Sequence, residues 1–253
     1  MRVFALSDLH IDYELNQQWT AQLSTYDYRD DVLILAGDVS DSLLQLEWCL
    51  KSLVSRFKKI LYVPGNHDLW VIRDKSERHS LDKFNQICTL VRDCGASMQA
   101  FHEGSLSIIP LLGWYDYSFG QPDTELFSIW ADFYACRWPA HFSARDITTH
   151  FVQLNEPILS HVRQTVISFS HFLPRIDLMP AYIPLDKRKL YPVLGAYALE
   201  TQIRQLASKI HVYGHSHINQ NITIDGISYI NNAFGYPQEV RITAKQLLCV
   251  YEI

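Results

Sequence analysis

The chain has 253 residues, 22 Lys and Arg against 27 Asp and Glu for a formal net charge of −5, with 48% hydrophobic and 19% charged residues. That much apolar material excludes disorder as the main state, and the negative balance argues against broad nucleic-acid binding, which calls for a basic stripe. No apolar run approaches the ~20 residues of a membrane helix, and MRVFALSDLH reads straight into a strand, without the features of a secretory signal.

Arg2–Ser7 (RVFALS) is the first predicted strand. Val32–Ala36 (VLILA) is the second, apolar throughout as in a strand buried on both faces. An amphipathic helix follows over about Asp41–Phe57, where Leu43, Leu46, Leu50, Leu53, Val54 and Phe57 recur at three- and four-residue spacing. Lys59–Val63 (KILYV) is the third strand. Ser76–Cys94 reads as a helix with Leu81, Phe84, Cys88 and Val91 on one face and Gly95 as its stop. Ser105–Leu112 reads as a strand. Ala144–Arg163 reads as a long helix, capped by Ser143 with Asp146 three residues on and kinked at Pro157. Thr165–Ser170 (TVISFS) and Lys209–Tyr213 (KIHVY) are strands again. NITI, a DG turn and ISYI then form a hairpin, and Leu247–Glu252 is the last strand.

No repeat, low-complexity tract or flexible linker interrupts this order, so residues 1–253 are read as a single domain. Strands and helices that alternate and then give way to hairpins imply an α/β fold of mixed sheets with helices outside. One segment departs from the rest. Leu112–Phe142 carries ten aromatics in 31 residues, which suits an insertion beside a site. The five cysteines make no CxxC pair, so free thiols in a reducing compartment, the cytoplasm, are expected.

Polar residues collect where the strands end: Asp8-Leu9-His10, Gly37-Asp38, Gly65-Asn66-His67-Asp68, His171, and Gly214-His215-Ser216-His217. Open α/β sheets build their sites outside such ends. Residues two apart in an extended segment project to the same side, so Asp8 with His10, and His215 with His217, are expected as matched pairs. Asp8, His10, Asp38, Asn66, His171, His215 and His217 offer carboxylate, amide and imidazole donors that suit Zn, Mn or Fe. Seven donors are too many for one ion and suit two that share a carboxylate. Such a pair, ~3.5–4 Å apart, keeps a small positive charge and clamps in-line displacement at phosphorus. Each residue also has a plainer use. Asp8 or Asp38 can cap a turn, Asn66 can hold a left-handed turn, and His215 and His217 can close a strand end. Asp41 can be a helix cap, Asp68 can orient His67 or end its turn, and His211 sits inside a strand. Joint occurrence in this order favours the metal reading.

These five blocks resemble the calcineurin-like metallophosphoesterase family, in the family's order from Asp8 to His217. The resemblance implies a four-layer α/β/β/α sandwich of two mixed β-sheets flanked by helices. It implies one divalent ion on Asp8, His10, Asp38 and His217, and another on Asp38, Asn66, His171 and His215, with Asp38 as the bridge. Mn²⁺, Fe²⁺/³⁺ and Zn²⁺ are the candidates. Of the histidines between the third and fifth blocks, only His171 directly follows a buried strand; His79, His150 and His161 fall on predicted helices. The implied reaction is direct attack of metal-bridging hydroxide on a phosphoester, with His67 as an imidazolium protonating the leaving oxygen. Asp41 matches a second acid that the family often has three residues after its GD. The family's phosphoprotein phosphatases carry an Arg soon after GD and another just before GNH. Here Val39-Ser40-Asp41-Ser42 follow Asp38, and Pro64 precedes Gly65. Without that bidentate grip on a terminal phosphate, the expected substrate is a phosphodiester or a small phosphorylated metabolite. A phosphomonoesterase or protein phosphatase, and a non-catalytic metal-binding scaffold, are the alternatives. Trp114, Tyr115 and Tyr117 are expected to contact the organic part of the substrate, and Trp130 and Phe133 to be core.

Overall fold

In the computed structural model, which describes residues 1–73, 78–160 and 162–253, two mixed sheets pack face to face. In the first, β1 (Arg2–Leu6), β2 (Val32–Leu35) and β3 (Lys59–Tyr62) run parallel, and β10 (Leu248–Glu252) pairs antiparallel with β1. In the second, β5 (Leu106–Pro110), β6 (Thr165–Phe169), β7 (Ile210–Tyr213) and β9 (Ile227–Asn231) are parallel. Antiparallel β4 (Phe101–Glu103) and β8 (Gln220–Ile224) close its two edges. The helices are α1 (Glu14–Gln22), α2 (Leu43–Val54), α3 (Ser80–Asp93), α4 (Thr124–Ile129), α5 (Asp132–Ala135), α6 (Ala144–Leu154) and α7 (Tyr197–Gln205).

The two-residue period of the strands builds the layers. Val3, Ala5, Val32 and Ile34 turn inward onto Leu106, Ile108, Ile167 and Phe169 of the other sheet. Their neighbours Phe4, Leu6, Leu33 and Leu35 cluster instead with Leu46, Leu50 and Leu53 of α2 and with Phe84 and Ile87 of α3. Val166, Tyr213 and Tyr229 do the same with Ile147 and Phe151 of α6 and Leu199 and Ile203 of α7. The expected helix–sheet–sheet–helix arrangement follows. The DG turn also forms as expected: Asp225 and Gly226 take φ of 49° and 81°, the left-handed pair that a two-residue hairpin needs.

Three boundaries differ from expectation. The helix after β2 is capped by Ser42, whose hydroxyl accepts the Gln45 N–H, while Asp41 faces Arg73 at 3.1 Å; Asp41 is not the cap. The Ser143–Asp146 capping box is present, but α6 ends at Leu154 rather than kinking, and Pro157 lies in a separate 3-10 turn. Proline lacks the N–H to continue the ladder, and its ring would strike the carbonyl four residues back. The helix expected from Ser76 is observed from Ser80, with His79 at its N-cap; Ser76 and the helical position foreseen for His161 lie outside the described residues. Helices α1 and α7 were not anticipated. α1 has almost no apolar stripe and buries polar Asn16 and Thr20 instead.

Candidate metal centre

The ends of β1, β2, β3, β6 and β7 bring all seven candidate ligands to one place, each no more than 9% exposed. Five of them have a left-handed backbone: Asp8 (φ 52°), His10 (41°), Asp38 (55°), His215 (68°) and His217 (53°). The pairs two residues apart therefore do not come from extended chain, as expected, but from tight left-handed turns. Such residues persist only where their surroundings over-determine them, and they concentrate at functional sites. Here the surroundings are explicit. The Asp8 and His10 N–H groups donate to the carbonyls of Gly37 (2.9 Å) and Asp38 (3.0 Å), and the His215 N–H donates to the Asp8 carboxylate at 3.0 Å. Asp68 accepts from the N–H groups of Asp38 (2.8 Å), Val39 (3.0 Å), Ser40 (3.0 Å) and Gly65 (2.8 Å). It is thus a staple between the second and third blocks, rather than an orienter of His67. Gly65 is needed by close approach: a Cβ there would stand 2.1 Å from an Asp38 oxygen.

The donor atoms fall into two sets. His217 Nε2 lies 3.2 Å from both Asp8 Oδ1 and His10 Nε2. His171 Nε2 lies 3.1 Å from both Asn66 Oδ1 and His215 Nδ1. Adjacent donors on one ion, with bonds of about 2.1 Å, stand about 3.0–3.4 Å apart. Asp38 Oδ2 stands between the sets, 3.5 Å from His171 Nε2 and 4.0 Å from His10 Nε2.

The tautomers test whether a cation fits. His171 Nδ1 is 2.9 Å from the Ala36 carbonyl, and His215 Nε2 is 3.0 Å from the Val193 carbonyl. A carbonyl only accepts, so those nitrogens carry the protons, and His171 Nε2 and His215 Nδ1 face each other as bare lone pairs. A shared cation resolves that repulsion, so the donors fit a metal. The charges agree. Burial, then Asp68 and Asp8, push the Asp38 carboxyl well above its usual range. Burial lowers His217, but Asp8 and Glu239 outweigh it and lift its pKa to about 10, so without metal a proton takes the cation's place.

His67 sits at the mouth of the site, its side chain 20% exposed and Nε2 3.8 Å from Asp38 Oδ2. Its ring stacks on Trp70 at 3.7 Å. Burial, then the imidazoles of His10, His217 and His171, hold its pKa well below the ordinary value. The expected imidazolium is therefore a neutral imidazole in the resting site.

Two cavities flank this centre. One, of about 510 Å³, has Asp38, Asn66, His67 and His215 among its lining, with apolar walls from Trp130, Met179, Ile183, Leu190 and Leu194. The other, of about 440 Å³, is polar and is lined by His10, Asp12, Asp41, His67, Arg73 and Tyr236. Trp114, Tyr115 and Tyr117 line neither. Trp114 and Tyr115 are 1% and 2% exposed, and all three border a separate cavity of about 170 Å³ with Phe133 and Trp138. The buried Asn155 amide clamps both backbone groups of Leu112, which helps set the path of the chain that follows. It is Trp130, expected in the core, that reaches the cleft, its ring 5.7 Å from that of His215. Replacement Tyr115→Ala should therefore cost about 3–5 kcal/mol of stability, the range for large buried aromatics. Turnover per folded enzyme should change by the same factor on nucleotide-type and small aliphatic esters. Urea unfolding with parallel assays on the two esters checks both.

Sequence reasoning missed several contributors. Asp132 accepts from Asn66 Nδ2 (2.9 Å), Trp70 Nε1 (2.6 Å) and Trp130 Nε1 (2.8 Å). An acid set among Trp130, Phe133 and Tyr134 was the available signal, since a buried carboxylate needs donors. Glu239 lies 2.7 Å from His217 Nδ1, and the Asn16 amide ties the Leu9 carbonyl to that of Gly235. Nothing local to either residue marks it.

Comparison with known proteins places this geometry. A curated relative, the [acyl-carrier-protein] phosphodiesterase PptH of Mycobacterium tuberculosis, is 26% identical over 265 residues, covering 94% of this chain and 79% of that protein. The crystal structure of the phosphopantetheinyl hydrolase PptH from the same organism superposes with a TM-score of 0.84 at 25% identity, over 98% of this chain and 95% of that one. A second solved structure, 11% identical with a TM-score of 0.55 over 92% and 90%, shares the fold alone. The model of the calcineurin-like phosphoesterases matches residues 1–219. That span reaches past the last of the clustered histidines, and the chain belongs to this family of phosphoester hydrolases, which work with two divalent metal ions.

Proposed function

We propose that this single-domain enzyme is a phosphodiesterase that cleaves a diester carrying one long, uncharged arm, of the phosphopantetheinyl-on-carrier-protein type that its relative's name describes. The observation that carries the reading is the pair of cavities meeting at His67 and Tyr236. A diester has two organic arms to place, and each cavity suits one: the apolar cleft the uncharged arm, the polar cavity the other. A terminal phosphate would want free guanidinium groups, and Arg73 is already engaged by Asp41 at 3.1 Å.

Asp8, His10, Asp38 and His217 would hold one ion, and Asp38, Asn66, His171 and His215 the other, with Mn²⁺ among the ions that such donors accept. Two divalent ions bound there supply a nucleophilic water near neutral pH and offset phosphoryl charge. Asp38 reaches both sets and fixes their spacing. Glu239 holds the His217 ring in register, and the Ala36 and Val193 carbonyls do so for His171 and His215. His67, steadied by Trp70, presents its imidazole to the leaving oxygen. An incoming phosphate anion raises the basicity of that ring, so it takes up a proton from solvent as the complex forms and passes that proton to the leaving oxygen. The five cysteines are all free, which suits a reducing compartment such as the cytoplasm.

The test is turnover of the Mn²⁺-supplemented protein on an aryl diester, on the matching monoester, and on a carrier protein bearing its phosphopantetheinyl arm. kcat/KM for the diester should exceed that for the monoester by about tenfold or more, some 1.4 kcal/mol of discrimination, and the carrier protein should lose its arm. Preference for the monoester would overturn the reading.

A further inference from the structure

Asp132 belongs to the aromatic insertion, 66 residues from Asn66 in sequence, yet its carboxylate is 3% exposed and sits directly behind the metal-ligand candidates. Its Oδ1 accepts both the Asn66 amide N–H and the Trp70 indole N–H, and its Oδ2 accepts the Trp130 indole N–H. We infer that Asp132 is a positioning residue for the ion shared by Asp38, Asn66, His171 and His215, acting by fixing which end of the Asn66 amide faces that ion.

The reason lies in what each group can do. An asparagine amide has an oxygen that accepts and an NH₂ that donates, and the two ends are nearly the same size. Only the oxygen can bind a cation. A carboxylate accepts and does not donate, so Asp132 draws the NH₂ towards itself and leaves Oδ1 aimed at His171 Nε2, the nitrogen that in turn stands 3.1 Å from His215 Nδ1. The two indoles hold the carboxylate in turn, one on each oxygen, and the buried Tyr115 hydroxyl donates to it as well. Both reach the site, Trp70 stacked on His67 and Trp130 against His215. One buried carboxylate thus ties a ligand, the ring beneath His67 and a wall of the cleft into one unit. Outer groups of this kind typically carry about 10–100-fold in metal affinity.

The inference rests on Asn66 being a ligand, and the experiment separates the two. Mn²⁺ binding is measured by calorimetric titration of the whole protein. Asp132→Ala should weaken one of two binding events by about 10–100-fold and leave the other, on Asp8, His10 and His217, within about threefold, roughly 0.7 kcal/mol. The double variant Asp132→Asn with Trp130→Phe keeps an oxygen for Asn66 and Trp70 and removes the donor that an amide NH₂ would oppose. It should recover most of the lost affinity, which a general packing defect would not do. If Asp132→Ala does not fold, Asp132→Leu with Trp70→Phe, Trp130→Phe and Tyr115→Phe removes the acceptor together with its aromatic donors, and should show the same single-site loss. Two ions bound at wild-type affinity in the variants lacking the carboxylate overturn the inference, as does a double variant no better than Asp132→Ala. Asn66→Ala marks which claim has failed. If it weakens one ion while the loss of Asp132 does not, only the positioning role falls. If it weakens neither, the ligand assignment falls with it.

Discussion

Asp38→Asn should empty both metal positions at once. Asp38 Oδ2 is the atom that stands between the two donor sets, 3.5 Å from His171 and 4.0 Å from His10. An amide offers one neutral oxygen where a bridging carboxylate offers two charged ones. The metal content of gently purified protein should fall from near two ions per chain to below one. Affinity should drop by more than the 10–100-fold typical of outer groups, and turnover should fall with it. The folded chain should survive. Without metal, Asp38 is a buried carboxyl whose ionised form is penalised by burial and by Asp68 and Asp8, and an amide escapes that penalty. The metal-free variant should therefore melt no lower than metal-free wild type at neutral pH. Elemental analysis and calorimetric melting read the two arms. Full metal content with full turnover would remove Asp38 as the bridge.

His67→Ala should act on chemistry and spare the metals. His67 Nε2 is 3.8 Å from Asp38 Oδ2, and its side chain, 20% exposed, is the one at the mouth. A grouping of His10, Asp38 and His67 is also close enough to hold an ion, so the outcome discriminates. If His67 delivers a proton to the leaving oxygen, kcat should fall by about 10²–10⁴-fold while metal content stays near normal. The loss should be greatest for poor leaving groups. A lost ion would make His67 a ligand, and an equal loss on activated and unactivated esters would end the proton-delivery role. The sign of the pH dependence follows from the depressed pKa. Binding of an anionic ester raises it, so the protonated fraction in the complex, and with it the His67 contribution, declines as pH rises through that raised value.

The five blocks that converge on the candidate site were legible because each is short and local: a buried apolar strand followed by Asp, Asn or His. The unbroken apolar run VLILA marked a strand buried on both faces, because no side of it could meet water. Capping chemistry placed the start of α6 for the same local reason. The turn geometry was not legible. Asp8, His10, Asp38, His215 and His217 adopt left-handed backbone that their own side chains disfavour, and long-range bonds, such as Asp8 N–H to Gly37 and His215 N–H to Asp8, hold it.

The aromatic segment marks the other limit. Composition identified Leu112–Phe142 as unusual, yet which rings met solvent, core or cleft depended on contacts made elsewhere. Asn155 pins Leu112, so Trp114 and Tyr115 pass inward, while Asp132 holds Trp130 at the cleft. A donor set can be read from residue type and order, because metal chemistry depends on the identity of the atoms offered. The aim of those atoms, and the Asp132 and Glu239 carboxylates that set it, depend on groups brought together only when the two sheets pack. Tertiary structure alone decided that Asn66 turns its oxygen inward and that Asp68 staples two loops, because hydrogen bonds over those separations have no counterpart in local sequence.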